Sequence, residues 1–233
     1  MRISIVSGTD RPILRSDVNH RCYAELHGYE YKFDTSVYKD LQTPHFRKIH
    51  SLKSVLNDCD WAFWLDDDAF FTNMASPLET FLNDIQENQS LVICKSPVNP
   101  KGGWTFLSAG QFLLKNDHRS HDFLDEVLAT PVETARAWWD TKRYGIFTGG
   151  DQDAIVYTLV TRNMLEDTKL CLYDAFNSRP YHYNCRLDEH FLVHFPGGRN
   201  KRDAVIEFGA RFGVDETLIN SDQALALTIP DAL

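Results

Sequence analysis

The chain has 233 residues, 43% hydrophobic and 24% charged, a makeup ordinary for a soluble globular protein with one sizeable core. Its formal net charge of −9 argues against a nucleic-acid partner, because affinity for that backbone needs a surplus of Lys and Arg. Five scattered cysteines (Cys22, Cys59, Cys94, Cys171, Cys185) form no C-x-x-C pair, which speaks against structural zinc and against a disulfide framework. Met1 leads directly into a strand, without a basic n-region or apolar h-region, and no apolar run approaches transmembrane length. The expectation is a single α/β domain over residues 1–233 in the cytoplasm, unless an N-terminal anchor has been removed. Residues 203–233 read as a C-terminal helix and tail.

In chain order, residues 3–6 are a short β-rich run ending at Ser7-Gly8-Thr9-Asp10, a small-residue turn of the kind that admits a ligand to the backbone. A helix over residues 16–26, stopped by Gly28, leads to an alternating strand over 29–33, so the three make a β-α-β crossover. Residues 44–56 carry Phe46, Ile49, Leu52, Val55 and Leu56 at helical core spacing. Lys48 lies off that stripe and reads, from its position alone, as solvated.

The chain is organised around Trp61-Ala62-Phe63-Trp64-Leu65-Asp66-Asp67-Asp68-Ala69-Phe70-Phe71. Its apolar half reads as a buried strand running into three carboxylates. On an extended chain Asp66 and Asp68 point one way and Asp67 the other. Carboxylates converging at a buried strand end need a neutralising cation, and a hard divalent ion such as Mg²⁺ or Mn²⁺ suits oxygen ligands. The plainer alternative is a solvated acidic turn.

A helix is expected over residues 76–85 and a strand over 91–94. The breaker-rich loop 97–104 ends in Trp104, which could stack on a sugar ring or tuck into the core. Ser108-Ala109-Gly110-Gln111 opens a strand whose small residues leave room for a ligand. Helices follow over 121–128 and 133–141. Adjacent Trp138 and Trp139 cannot both face one core, so one of them, Trp138, is expected at an acceptor groove. Gly149-Gly150-Asp151-Gln152-Asp153 enters a helix, and either aspartate could be an N-cap. Late strands are expected over 170–176 and 191–195. His194 is followed by Gly197, Gly198, Arg199, Lys201 and Arg202, a setting for a diphosphate.

With these motifs in place, the chain resembles the galactosyl/xylosyl/mannosyltransferase family of GT-A fold enzymes, which contains yeast α-galactosyl- and mannosyltransferases and plant xyloglucan xylosyltransferases. The resemblance is carried by Lys48, Trp64-Leu65-Asp66-Asp67-Asp68-Ala69, Ser108 to Asn116, Asp151-Gln152-Asp153-Ala154 and His194-Phe195-Pro196-Gly197, in family order. It departs from the family pattern at Gln111, at the added Asp153, and in the loose spacing from His194 to Lys201. It implies a Rossmann-like, mostly parallel central sheet flanked by helices. It also implies Mn²⁺-dependent, retaining transfer from a nucleotide-sugar, a UDP-sugar, to a carbohydrate or other hydroxyl acceptor.

The resemblance assigns roles as well. Asp66, Asp68 and His194 would hold the metal, with Mg²⁺ as the substitute ion. Ser7 and Gly8 would lie beside the uridine, and Asp67, Ala109 and Gly110 beside the donor. Lys48, Gly197 and one of Arg199 or Lys201 would touch the diphosphate. Gln152 and Asp151 would face the anomeric carbon, with Asp151 as nucleophile in a double displacement or Gln152 as the stabilising amide in a front-face reaction. Trp104 and Trp138 would meet the acceptor. Two rival readings stand beside this one. A metal-dependent phosphohydrolase would use Asp66 as nucleophile, but Phe70 stands where such enzymes would carry Thr or Val. A non-catalytic sugar-binding module would keep the site without its chemistry.

Overall fold

The computed structural model describes residues 1–198 and 200–220. The chain begins with β1 (Ile3–Gly8), α1 (Ser16–His27), β2 (Glu30–Asp34) and α2 (Arg47–Lys53). It continues through β3 (Trp61–Leu65), β4 (Ala69–Phe71), β5 (Leu91–Cys94), β6 (Ser108–Lys115) and α3 (His118–Ala129). Then come α4 (Val132–Trp138), α5 (Thr141–Tyr144), α6 (Asp151–Thr161), β7 (Thr168–Cys171), α7 (Tyr173–Phe176), β8 (Leu192–His194) and α8 (Lys201–Arg211).

Six strands form one sheet in the order β2-β1-β3-β6-β5-β7. β1 pairs parallel with both β2 and β3, and β5 pairs parallel with β7. β6 alone runs against its neighbours. The expected mostly parallel α/β sheet is therefore present. β3 sits at its centre with all five residues buried, as a strand covered on both faces must be.

Alternation along β3 builds two cores. Ala62 and Trp64 face a layer with Phe46, Ile49 and Leu52, to which Phe123, Leu124, Ile155 and Leu159 of α3 and α6 are added. Trp61, Phe63 and Leu65 face Tyr23 of α1, Phe71, Leu113 and Phe176 on the other side. Emptying one of these aromatic positions, as in Phe63→Ala, costs about 3–5 kcal/mol. The helix stop at Gly28 is as expected: its φ of 68° is left-handed, and its N–H returns to the carbonyls of Ala24 and Glu25.

β4 and β8 form a separate antiparallel ribbon, with Ala69 opposite His194 and Phe71 opposite Leu192. α1 fastens it through buried side chains. Asn19 donates to the Phe71 carbonyl and accepts from the Phe71 N–H, while His20 Nε2 donates to the Ala69 carbonyl at 2.7 Å. A third apolar cluster, including Phe70, Val193, Phe195, Val205 and Phe208, packs α8 against this ribbon.

Four expected elements differ, the first being the helix over 44–56, which is α-helical only from Arg47 to Lys53, between 3-10 turns at Pro44–Phe46 and Leu56–Asp58. The helix over 76–85 is only a 3-10 turn, Leu78–Leu82, too short to pay for nucleating an α-helix. The strand over 170–176 stops at Cys171, because its ladder partner β5 ends at Cys94; the remaining apolar residues wind into α7. The helix over 133–141 breaks at Trp139, which is extended, and Asp140 caps α5 by accepting from the Lys142 N–H. The expected tail beyond residue 220 lies outside the described residues.

Candidate active site

A cavity of about 770 Å³ opens at the ends of β1, β3 and β6. β3 stops at Leu65, and Asp66-Asp67-Asp68 form a turn closed by the Ala69 N–H to Asp66 carbonyl bond of 3.1 Å. The chain is not extended there, so alternation is not what sorts the three carboxylates. All three line the cavity.

Asp66 and Asp68 converge with His194, one ligand atom from each lying within 4.8 Å of the others. Asp66 Oδ1 is occupied by Trp64 Nε1 at 2.6 Å and Lys48 Nζ at 3.1 Å. Its Oδ2 faces the third strand of the site: a Cβ added at Gly110 would lie 3.1 Å from Asp66 Oδ2 and 2.5 Å from His194 Cε1. Only glycine lets these groups close on one point. Asp68 Oδ1 is buried without a hydrogen-bond partner among the described residues, although His194 Nε2 is 3.1 Å away. Two carboxylates and an imidazole around an orphaned buried oxygen fit a divalent cation with oxygen and nitrogen ligands, as Mn²⁺ accepts.

The local charges are strongly mutual. Burial would raise the Asp68 carboxyl, but His194 and Lys201 outweigh it and hold it well below the usual range. Burial holds His194 below its ordinary value against the pull of Asp68, which favours the neutral imidazole that a metal ligand must be. Asp67 is pushed up to about 6 by burial and its two aspartate neighbours. Lys201 Nζ closes on Asp68 Oδ2 from the first turn of α8.

Lys48 is 4% exposed, not solvated as its place on the helix suggested. Its ammonium donates to the Ala109 carbonyl at 2.7 Å and stands 3.1 Å from Asp66 and 3.0 Å from Asp151, over the Trp64 ring. Burial opposes its charge, yet the two carboxylates raise its affinity for the proton above the ordinary lysine value. Asp151 is raised by burial against the pull of Lys48.

Asp151 and Gln152 open α6. The N-cap is Gly150, not either aspartate; Asp153, three residues on, is fully buried and reaches back to accept from the N–H groups of Thr148, Gly149 and Gly150. Asp151 is thereby free to meet Lys48. Gln152 lines the cavity, with Oε1 accepting from the Ala109 N–H at 3.1 Å and Nε2 donating to none of the described residues.

Gly8, Ala109, Gly197 and Trp104 also line the cavity. Ser7 is buried behind it and is not part of the lining. Trp138 lies outside the lining too, stacked on Tyr144 at 4.6 Å. Arg199 lies outside the described residues. The sequence reading missed Arg47 at the start of α2, His45 in the 3-10 turn before it, and Arg179, which line the cavity from segments that carry no motif.

The sheet and this cavity define the GT-A type of glycosyltransferase fold. A solved glycosyltransferase involved in the glycosylation of the major capsid of PBCV-1 has it too, with a TM-score of 0.67 at 19% identity, covering 88% of this chain and 99% of that one. Residues 7–103 match the sequence model of the galactosyl transferase GMA12/MNN10 family, so the resemblance carried by the motifs holds. Among curated relatives, glycosyltransferase 6 of Arabidopsis thaliana is 28% identical over 186 residues, 74% of this chain and 42% of that protein. Xyloglucan 6-xylosyltransferase 4 of the same plant is 30% identical over 188 residues, 69% of this chain and 35% of that protein. The chain spans about two fifths of the length of the first relatives it matches. Among the described residues, no helix is long and apolar enough to cross a membrane.

Proposed function

We propose that this chain transfers a sugar from a UDP-sugar to an acceptor hydroxyl, with retention at the anomeric carbon and with dependence on Mn²⁺. The observation that carries the proposal is the meeting of Asp66, Asp68 and His194 in the same cavity as Gln152 and Asp151. Asp66 Oδ2, an Asp68 oxygen and His194 Nε2 would hold the cation. When bound, the ion supplies positive charge where the departing diphosphate gains negative charge.

The residues of the chain do the rest. The bond from the anomeric carbon to the phosphate oxygen breaks, its electron pair leaving with the diphosphate, and Lys201 supplies a cation beside Asp68 to meet that charge. The acceptor oxygen bonds to the anomeric carbon on the face being vacated, and its proton passes to the departing phosphate oxygen. Gln152 Oε1 keeps a second lone pair beside the bond it accepts from the Ala109 N–H, and that oxygen meets the developing oxocarbenium character of the sugar. Asp151 is 5% exposed and paired with Lys48, which suits an anchor for the helix start better than a nucleophile. The front-face route is therefore favoured over a double displacement. Trp104, at the rim beside Ile146, is the acceptor-side aromatic.

The test screens nucleotide-sugars by thermal shift with and without Mn²⁺, followed by a transfer assay that reads the product anomer. The expected result is a Mn²⁺-dependent shift with a UDP-sugar, lost in Asp68→Ala and kept in Gln152→Ala, whose turnover falls. A Gln152→Ala protein with undiminished transfer, or an inverted product, would overturn the mechanism.

A further inference from the structure

On the Nδ1 side of His194 stands a buried pair, one member of which, Arg179, also reaches the cavity lining, and neither the motifs nor the reaction above uses it. Asn177 is fully buried, and Arg179 is 8% exposed with no carboxylate partner among the described residues. A guanidinium in that position needs acceptors. Nη1 donates to the Asn177 carbonyl at 3.1 Å and to Asn177 Oδ1 at 2.5 Å, and it lies 3.0 Å from His194 Nδ1. The same Asn177 Oδ1 is 3.2 Å from His194 Nδ1. Asn177 Nδ2 donates to the Lys95 carbonyl at 3.3 Å, which fixes the amide with its oxygen toward the imidazole. The His194 N–H donates to the Ser178 carbonyl at 2.9 Å, so the segment carrying both residues is clamped along β8.

Counting hydrogens decides what this pair does. Nη1 carries two. If Nδ1 is bare, three acceptors compete for those two, and one buried acceptor loses its bond. If Nδ1 carries its own hydrogen, that hydrogen goes to Asn177 Oδ1, and both Nη1 hydrogens go to the Asn177 oxygens. Oδ1 has two lone pairs and accepts both bonds. Every group behind the ring is then satisfied, while in front Nε2 and Asp68 Oδ1 forgo the one bond that an Nε2–H would make between them. The bare nitrogen is Nε2, which faces Asp68 Oδ1 at 3.1 Å; that oxygen has no hydrogen-bond partner among the described residues.

We infer that Asn177 and Arg179 are positioning residues that set His194 in its Nδ1–H tautomer, so that Nε2 presents a lone pair to a divalent cation held with Asp66 and Asp68. The inference rests on the proposed cation site. The cost of bringing Nε2 and Asp68 Oδ1 together bare is met in the fold by the buried hydrogen bonds behind the ring and is relieved when the cation binds. Outer partners of this kind are worth roughly 10- to 100-fold in metal affinity.

The test uses ¹⁵N-histidine-labelled, metal-free protein, with His194 assigned by its loss in His194→Gln. The ring nitrogens should report the neutral Nδ1–H form. In Asn177→Ala the population should move toward Nε2–H, and the affinity for Mn²⁺ alone, read by titration calorimetry, should fall roughly 10- to 100-fold. Asn177→Asp keeps an acceptor at the same place and should restore the tautomer. An Nε2–H signal in the wild type would overturn the inference, as would an Asn177→Ala protein that melts like wild type with tautomer and Mn²⁺ affinity unchanged. If wild type shows the Nδ1–H form but binds no divalent cation, the cation reading fails while the tautomer assignment stands.

Discussion

Gly110 leaves the space that His194 fills: a Cβ at residue 110 would sit 2.5 Å from His194 Cε1 and 3.1 Å from its Nε2. β6 thus contributes to the site by an absence, and its carbonyl fixes the aspartate turn through the Asp66 N–H at 2.8 Å.

Gly110→Ala should therefore displace the imidazole from the aspartates while leaving the sheet intact. The expected outcome is a loss of Mn²⁺ affinity of about tenfold or more, with a stability cost of roughly 1–3 kcal/mol from overpacking. Titration calorimetry beside a denaturant melt separates the two effects. Unchanged Mn²⁺ affinity would show that the ion does not sit between these groups.

Lys48 holds two acidic elements that are distant in sequence, the Asp66 turn and the start of α6. Lys48→Met leaves two carboxylates with no cation between them in a buried place, and should cost roughly 3–5 kcal/mol. Adding Asp151→Asn should recover part of that loss, since it removes one of the stranded charges. Chemical denaturation of the two variants reads both numbers, and an additive double variant would argue against the shared network.

Lys201 holds Asp68 where a divalent ion would compete for the same carboxylate. Lys201→Ala should tighten binding of free Mn²⁺ by up to about fivefold, the worth of a partly exposed ion pair, and weaken binding of UDP. The two shifts have opposite signs, so a variant that weakens both or strengthens both contradicts this role.

His20 supports the ribbon from beneath, donating to the Ala69 carbonyl with its Nδ1 toward the Tyr31 hydroxyl. Burial lowers its pKa from 6.5 to about 4, against the opposite pull of that carbonyl. Between these values the unfolded chain takes up a proton that the folded chain refuses. Its contribution is therefore full above pH 6.5 and is lost as the pH falls toward 4, by roughly 3 kcal/mol in total. Urea melts at pH 7, 5.5 and 4.5 should show this loss, and His20→Gln should flatten it. An equal acid slope in that variant would assign the loss to other groups.

Much of the sheet was legible because a strand covered on both faces must be apolar throughout, as in Trp61 to Leu65 and Leu91 to Cys94. Where the pattern stopped being specific, it misled. The apolar residues 170–176 serve equally as strand or helical turn, and what decides is that β5 offers no partner beyond Cys94. The convergence of Asp66, Asp68 and His194 was legible only through the family motifs, since nothing local says that a turn at 66–68 will meet a residue at 194. Lys48 was misread from its position because a charge off the apolar stripe ordinarily faces water; here it faces a polar cavity carved into the same layer. Asn177 and Arg179 left no trace, being ordinary polar residues whose meaning lies in one shared nitrogen.

The ribbon of β4 and β8 has one more consequence. Side chains on a strand alternate, so sliding β8 by one residue would turn the imidazole to the opposite face and bring Val193 to its place. The pairing of Ala69 with His194 works as a ratchet with a single permitted notch. The chain between residues 72 and 191 can lengthen or shorten at its surface loops without retuning the geometry at the aspartates, whereas a single insertion between Phe70 and Phe71, or between Val193 and His194, would disassemble it.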